Sequence, residues 1–288
     1  MRSMIRFGLM VQGGNLISLI RDRAVTLAVA PFVGPTGMGF LAWSQGLTYW
    51  SSQTFSGVVT RVSFASLARA KDDDERERMF QVTMRWLLLG TASILLPLSI
   101  AAPALIHLIY SDVWLPALPA LYLFALRAIG SNVLTMGVTT MTARGEMARP
   151  LRIQFVWTAI DVAACLIGAH FLGFVGIAAG HAIATLLPAG LILRGTTSNS
   201  RAVWTDLLLV GLASLGGALA GLLVRAQLDG WLGLLATVVA TLGMFVAIVG
   251  LIAGRRLRGE IEFAIRLLMP RGFRGLAGRW RREEVEPT

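Results

Sequence analysis

The residues able to do chemistry in this chain lie mostly where charge is costly. Arg21, Asp22, Arg61, Arg127 and Asp161 all fall inside long apolar runs. A charge near the middle of a bilayer costs roughly 3 kcal/mol on insertion scales, so such residues face protein or water and mark a functional path. Guanidinium groups gathered around an internal cavity suit a phosphate, which they bind bidentately. Each residue also has a plainer reading. Arg61 lies eight residues before Arg69, about 12 Å along a helix, and can snorkel to the interface. Arg21, Asp22 and Arg23 can neutralise one another, and Arg127 and Asp161 can form a buried pair between neighbouring helices. Asn15, Gln45, Gln53 and Asn132 serve as interhelical hydrogen-bond glue as readily as ligand contacts.

Other chemistries find little support. A phosphate-binding loop needs Gly-Lys-Ser/Thr, and the sole lysine, Lys71, sits in Ala-Lys-Asp. His107, His170 and His181 are scattered, and no HExxH, CxxC or HxxxD pattern occurs. The sequence therefore implies no metal, no cofactor and no catalytic residue. Asp72-Asp73-Asp74-Glu75 could hold Mg²⁺ as in membrane prenyltransferases, but no second aspartate-rich loop accompanies it. It reads instead as a solvated turn whose acids pair with Arg76 and Arg78.

The elements that position these residues are membrane helices. Of the 288 residues 55% are hydrophobic and 15% charged, against about 25% charged in soluble domains. Spans must satisfy their own backbone hydrogen bonds, and apolar runs without strand alternation leave only helices. The pattern predicts an all-α polytopic bundle of about eight transmembrane helices, near residues 4–30, 38–70, 80–109, 117–143, 153–171, 175–193, 206–226 and 231–253. Helix 1 is the least apolar and must face protein or water. Pro97 and Pro103 predict a bend in helix 3, and Trp114 sits where an interfacial anchor would.

Orientation follows from the short connectors. Those after helices 2, 4 and 6 carry four, three and two Lys/Arg, and the tail from Arg255 carries nine. Those after helices 1, 3 and 5 carry none. Basic connectors stay inside, so both termini should be cytoplasmic. The net charge of +10 thus reads as a membrane-surface feature rather than a nucleic-acid site. Leu257, Ile261, Ala264, Ile265 and Leu268 recur at helical spacing in the tail, which fits a helix lying on the anionic leaflet. Cys165 is the single cysteine, which excludes an intramolecular disulfide. Arg21-Asp22-Arg23 interrupts the N-terminal apolar run where a signal peptide would need to be clean.

Four stretches resemble one family: VGPTGMGFLAWSQGL entering helix 2, RVSFASLARAKDDDERER leaving it, LIHLIYSDVWLPALPALYLFAL entering helix 4, and the connector TARGEMARPLRIQ. Their order and spacing resemble the C-terminal half of the Wzx-type polysaccharide and O-antigen flippases, within the multidrug/oligosaccharidyl-lipid/polysaccharide exporter superfamily. The resemblance implies a six-helix flippase bundle at 1–194, an added helix pair at 195–254 and a basic tail at 255–288. It implies a bacterial inner-membrane transporter, not an enzyme, that moves a polyprenyl-pyrophosphate-linked oligosaccharide by alternating access. Arg61 and then Arg21 become the leading cavity candidates, followed by Asp22, Arg127, Asp161 and Asn15. Membrane lipids and either a second copy or a separate N-terminal half are the implied partners. A cation-coupled multidrug exporter is the alternative in the same class, and a polyprenyl-glycan polymerase or ligase the alternative in another.

Overall fold

The computed structural model describes residues 2–70, 72–146, 148–197 and 199–268. The helices are α1 (Arg2–Arg69), α2 (Asp73–Ile109), α3 (Leu118–Ala143), α4 (Ala148–Thr196), α5 (Ser200–Arg225) and α6 (Gly230–Leu268), with a short 3-10 turn at Asp112–Ala117. Among the described residues there is no strand. Among the described residues, six helices are long and apolar enough to cross a membrane. The predicted turns between helices 1 and 2 and between helices 5 and 6 are single interruptions inside α1 and α4. They fall at Gly34 (φ 67°) and Gly173 (φ 59°), a left-handed backbone that glycine adopts without steric cost.

At Gly173 α4 folds back on itself. A Cβ on Gly168 would lie 2.0 Å from the Gly176 carbonyl oxygen, and one on Gly180 would lie 2.6 Å from that of Ala164. The two arms touch backbone to backbone along a seam of small residues. In lipid no hydrophobic gain drives helices together, so such close contact supplies the attraction. The same device recurs where Gly217 and Gly221 of α5 meet Thr241 of α6. α1, α3 and α4 share a core of Val25, Val29, Leu41, Ala120, Phe124, Cys165 and Ile177. α2 packs against α1, α3 and α5.

Two ends are built differently. At one, the Gly34 and Gly173 turns and the α2–α3 connection meet in an aromatic cluster. Phe40 lies 5.3 Å from Phe174 and 5.8 Å from Trp114, and Trp43 lies 5.5 Å from Tyr110. Trp114 thus packs at the centre of this cluster, against Phe40, Trp43 and Tyr110. At the other end the basic connectors gather, and the Thr197 hydroxyl donates to Glu77 across two of them.

Several boundaries differ from the sequence expectation, α4 among them, which starts at Ala148 rather than near 153. α2 starts at Asp73 rather than near Phe80, because Asp72 caps it, accepting from the Glu75 N–H at 2.7 Å. Asp73, Asp74 and Glu75 fill its first turn, where carboxylates favour the helix dipole. The acidic run is therefore a helix start rather than a loop, and Arg76 pairs with Asp73. α5 starts at Ser200, capped by Asn199, so the polar linker predicted to run to Thr205 shrinks to 197–199. α6 runs on through the basic residues to Leu268, and α2 continues through Pro97 and Pro103. Contacts divide the chain into residues 1–246 and residues 247–288. In the second unit Arg256 pairs with Glu260 at 3.6 Å. The tail beyond Leu268 lies outside the described residues.

The α4 seam gives a direct test. Gly176→Leu should cost about 1–3 kcal/mol or more through overpacking, read as a lower melting temperature in detergent. Gly190→Leu, which meets nothing within 4 Å, should melt close to wild type.

Candidate functional site

A polar cavity lies among the membrane-length helices. Its volume is about 140 Å³, and Gln45, Thr48, Tyr49, Ser52 and Gln53 of α1, Arg127 and Ser131 of α3, and Trp157 of α4 line it. The α1 residues recur at three- and four-residue spacing, which puts them on one face. Thr48 donates its hydroxyl hydrogen to the Ser44 carbonyl at 2.9 Å, and Ser52 donates to Thr48 at 2.8 Å. With those hydrogens spent on the helix, both hydroxyls offer the cavity acceptor lone pairs. Arg127 offers donors only. The wall therefore combines acceptors suited to hydroxyl groups with one cation.

Arg127 is nine residues from the start of α3, about 14 Å deep. Its guanidinium carbon lies 6.0 Å from the centre of the Phe124 ring, at the outer range of cation–π attraction. The same ring lies 6.0 Å from that of His181. His181 Nδ1 is 2.8 Å from Asp161 Oδ1, and the two residues are 8% and 0% exposed. The hairpin at Gly173 is what brings them together, twenty residues apart in sequence. Cys165 completes the cluster, with its thiol 3.7 Å from the Ile177 carbonyl.

Asp161, Cys165 and His181 present ligand atoms within 4.8 Å of one another. Donors about 2.0–2.1 Å from a tetrahedral zinc stand about 3.3 Å apart. The 2.8 Å between His181 and Asp161 is instead a hydrogen-bond distance. The cluster as built holds a proton between imidazole and carboxylate.

The predicted site residues fall in different places. Arg127 lines the cavity, and Asp161 sits in the cluster that the Phe124 ring touches. Arg61 is exposed on α1, eight residues beyond Gln53. Of Asn15, Arg21 and Asp22 the structure describes only the helical backbone, and their side chains lie outside the described residues.

Sequence reasoning misses three residues. His181 reads there as one of three scattered histidines. Arg85 and Asp206 form an ion pair at 2.8 Å between α2 and α5, with side chains 1% and 4% exposed. Both stand near predicted helix starts, where a charge looks interfacial. Arg85 followed by Trp86 and Leu87 in an apolar run is the available signal.

Comparison with known proteins adds the family context. Residues 1–119 match the family described as "Polysaccharide biosynthesis protein". An "Uncharacterized membrane protein in cps region" of Klebsiella pneumoniae is 25% identical over 190 residues, covering 64% of this chain and 39% of that protein. The "Lipopolysaccharide biosynthesis protein WzxC" of Escherichia coli (strain K12) is 20% identical over 188 residues, covering 64% of this chain and 37% of its own length. Over these stretches the chain is similar to membrane proteins of polysaccharide and lipopolysaccharide biosynthesis. It is a multi-pass membrane protein that spans about two fifths of the length of these relatives. The matched stretch takes in α1, with the cavity face from Gln45 to Gln53, and all of α2.

The buried pair yields a quantitative expectation. Asp206→Leu alone takes the paired carboxylate from the buried Arg85 and should cost about 3–5 kcal/mol, whereas Arg85→Met with Asp206→Leu should recover most of that. Unfolding of both variants in the same detergent separates the two.

Proposed function

We propose that this chain is part of a flippase that carries an undecaprenyl-linked oligosaccharide across a bacterial inner membrane for polysaccharide or lipopolysaccharide biosynthesis. The observation that carries the reading is the cavity of Arg127, Thr48, Ser52 and the two glutamines, set at membrane depth in a chain similar to WzxC. A sugar offers many hydroxyls, and a diphosphate offers anionic oxygens. Acceptor hydroxyls, amides and a guanidinium meet both.

One bundle makes one wall. The exposed α1 face with Gln45, Tyr49 and Gln53, and Arg61 two turns further on, is the side a second bundle would cover. That bundle comes from another copy, or from a separate or preceding N-terminal half. Rocking of the two bundles then exposes the cavity to each side in turn, and the cytoplasmic termini put substrate loading on the arginine-rich face. A cavity cation favours an anionic substrate over the cationic drugs of related exporters.

In the native strain, Arg127→Ala should stop surface polysaccharide and leave the lipid-linked precursor to accumulate, with protein level and insertion unchanged. Arg61→Ala should reduce export in the same assay. Normal export in both variants would sink the assignment. Native mass spectrometry of the protein in nanodiscs, alone and with any separate N-terminal half, should give a dimer, not a monomer.

A further inference from the structure

A second cavity lies beside the first and has a different character. It measures about 340 Å³ and is lined by Met141 at the end of α3, Val156 and Ile160 of the first α4 arm, and Pro188 and Leu191 of the second, with Arg149 and Arg152 among its lining residues. Its volume falls within the roughly 300–1,000 Å³ range of small-ligand sites. Arg149, Arg152, Val156 and Ile160 follow helical spacing, so one face of α4 carries the cations at its start and apolar groups beyond them. From Arg152 to Ile160 that face runs about 12 Å.

Charge and exposure set the occupant. Glu146 holds Arg149 at 3.4 Å, while Arg152 is exposed and has no ion pair among the described residues. The mouth is therefore net positive. Val156 is 56% and Leu191 71% exposed, which on a helix of membrane-spanning length leaves them open to acyl chains. Trp157 borders both this groove and the polar cavity, so one side chain separates the two.

We propose that this groove docks an anionic phospholipid of the surrounding membrane, with its phosphate on Arg149 and Arg152 and one acyl chain laid along Val156, Ile160 and Leu191. Basic pockets between membrane helices bind anionic headgroups by this combination of charge and apolar depth. The site stands apart from the transport cavity and does not depend on what that cavity carries.

The test is native mass spectrometry of the full chain released from nanodiscs of phosphatidylglycerol and phosphatidylcholine with identical acyl chains. The wild type should retain phosphatidylglycerol preferentially. Arg149→Gln with Arg152→Gln should weaken that preference about fivefold for each arginine lost, with the melting temperature kept. Arg201→Gln, in the first turn of α5, should leave it unchanged. Val156→Trp fills the groove with the arginines intact and should also abolish it. Equal retention of both lipids by the wild type, or an unchanged preference in the double variant, overturns the proposal. So does full preference in Val156→Trp, which would mean surface attraction without a seated chain. Displacement of the lipid by millimolar inorganic phosphate would make the arginines a free-anion site and overturn it as well.

Discussion

The pairing of Arg85 with Asp206 is the constraint from which the placement of α5 follows. Two charges in a low-dielectric bundle are tolerable only together. A slip of α5 by one turn, about 5.4 Å, would leave a guanidinium and a carboxylate each facing apolar groups. The pair thus fixes the register of α5 on α2 to within less than a turn. Because Gly217 and Gly221 seat α5 on Thr241 of α6, that register passes on to the start of α6. Buried pairs are weak sources of net stability but strong determinants of which arrangement survives.

Elsewhere the bundle relies on shape. Gly168, Gly176 and Gly180 let the α4 arms meet backbone to backbone, and a polar pair, Asp161 and His181, is enclosed in the same seam. The α1 face that meets α3 is looser. There Thr48 and Ser52 hydroxyls, bonded to their own helix, line an open space instead of filling it. One part of the molecule is packed too tightly to move without cost, and its neighbour is built around a gap.

Much of this is legible in the sequence. The all-helical membrane class, the short breaks between predicted helices 1 and 2 and between helices 5 and 6, and the flippase resemblance follow from hydropathy and motif order. The errors share one cause. Hydropathy places helix starts where the apolar runs begin, but Asp72 and Asn199 cap α2 and α5 several residues earlier in polar sequence. That shift sets Arg85 and Asp206 deeper within their helices, from apparent interface to buried core. The Asp161–His181 contact is hidden for another reason. The break between predicted helices 5 and 6 brings the two arms together, but which residues meet across them is set by packing, and composition does not reveal that. Arg127 is legible because it lies too deep in its apolar run for the side chain to reach either interface, so it must face protein or water.

The lone thiol has a practical consequence. Cys165 is fully buried, with the Ile177 carbonyl beside it and the α4 arms closed over it. Thiol reagents that modify cysteines from water or from the lipid surface have no path to it. The unaltered chain therefore serves as its own unreactive background. A cysteine introduced at Gln53, Arg61 or Leu191 would report on the access of that position alone, with every native contact of the seam left in place.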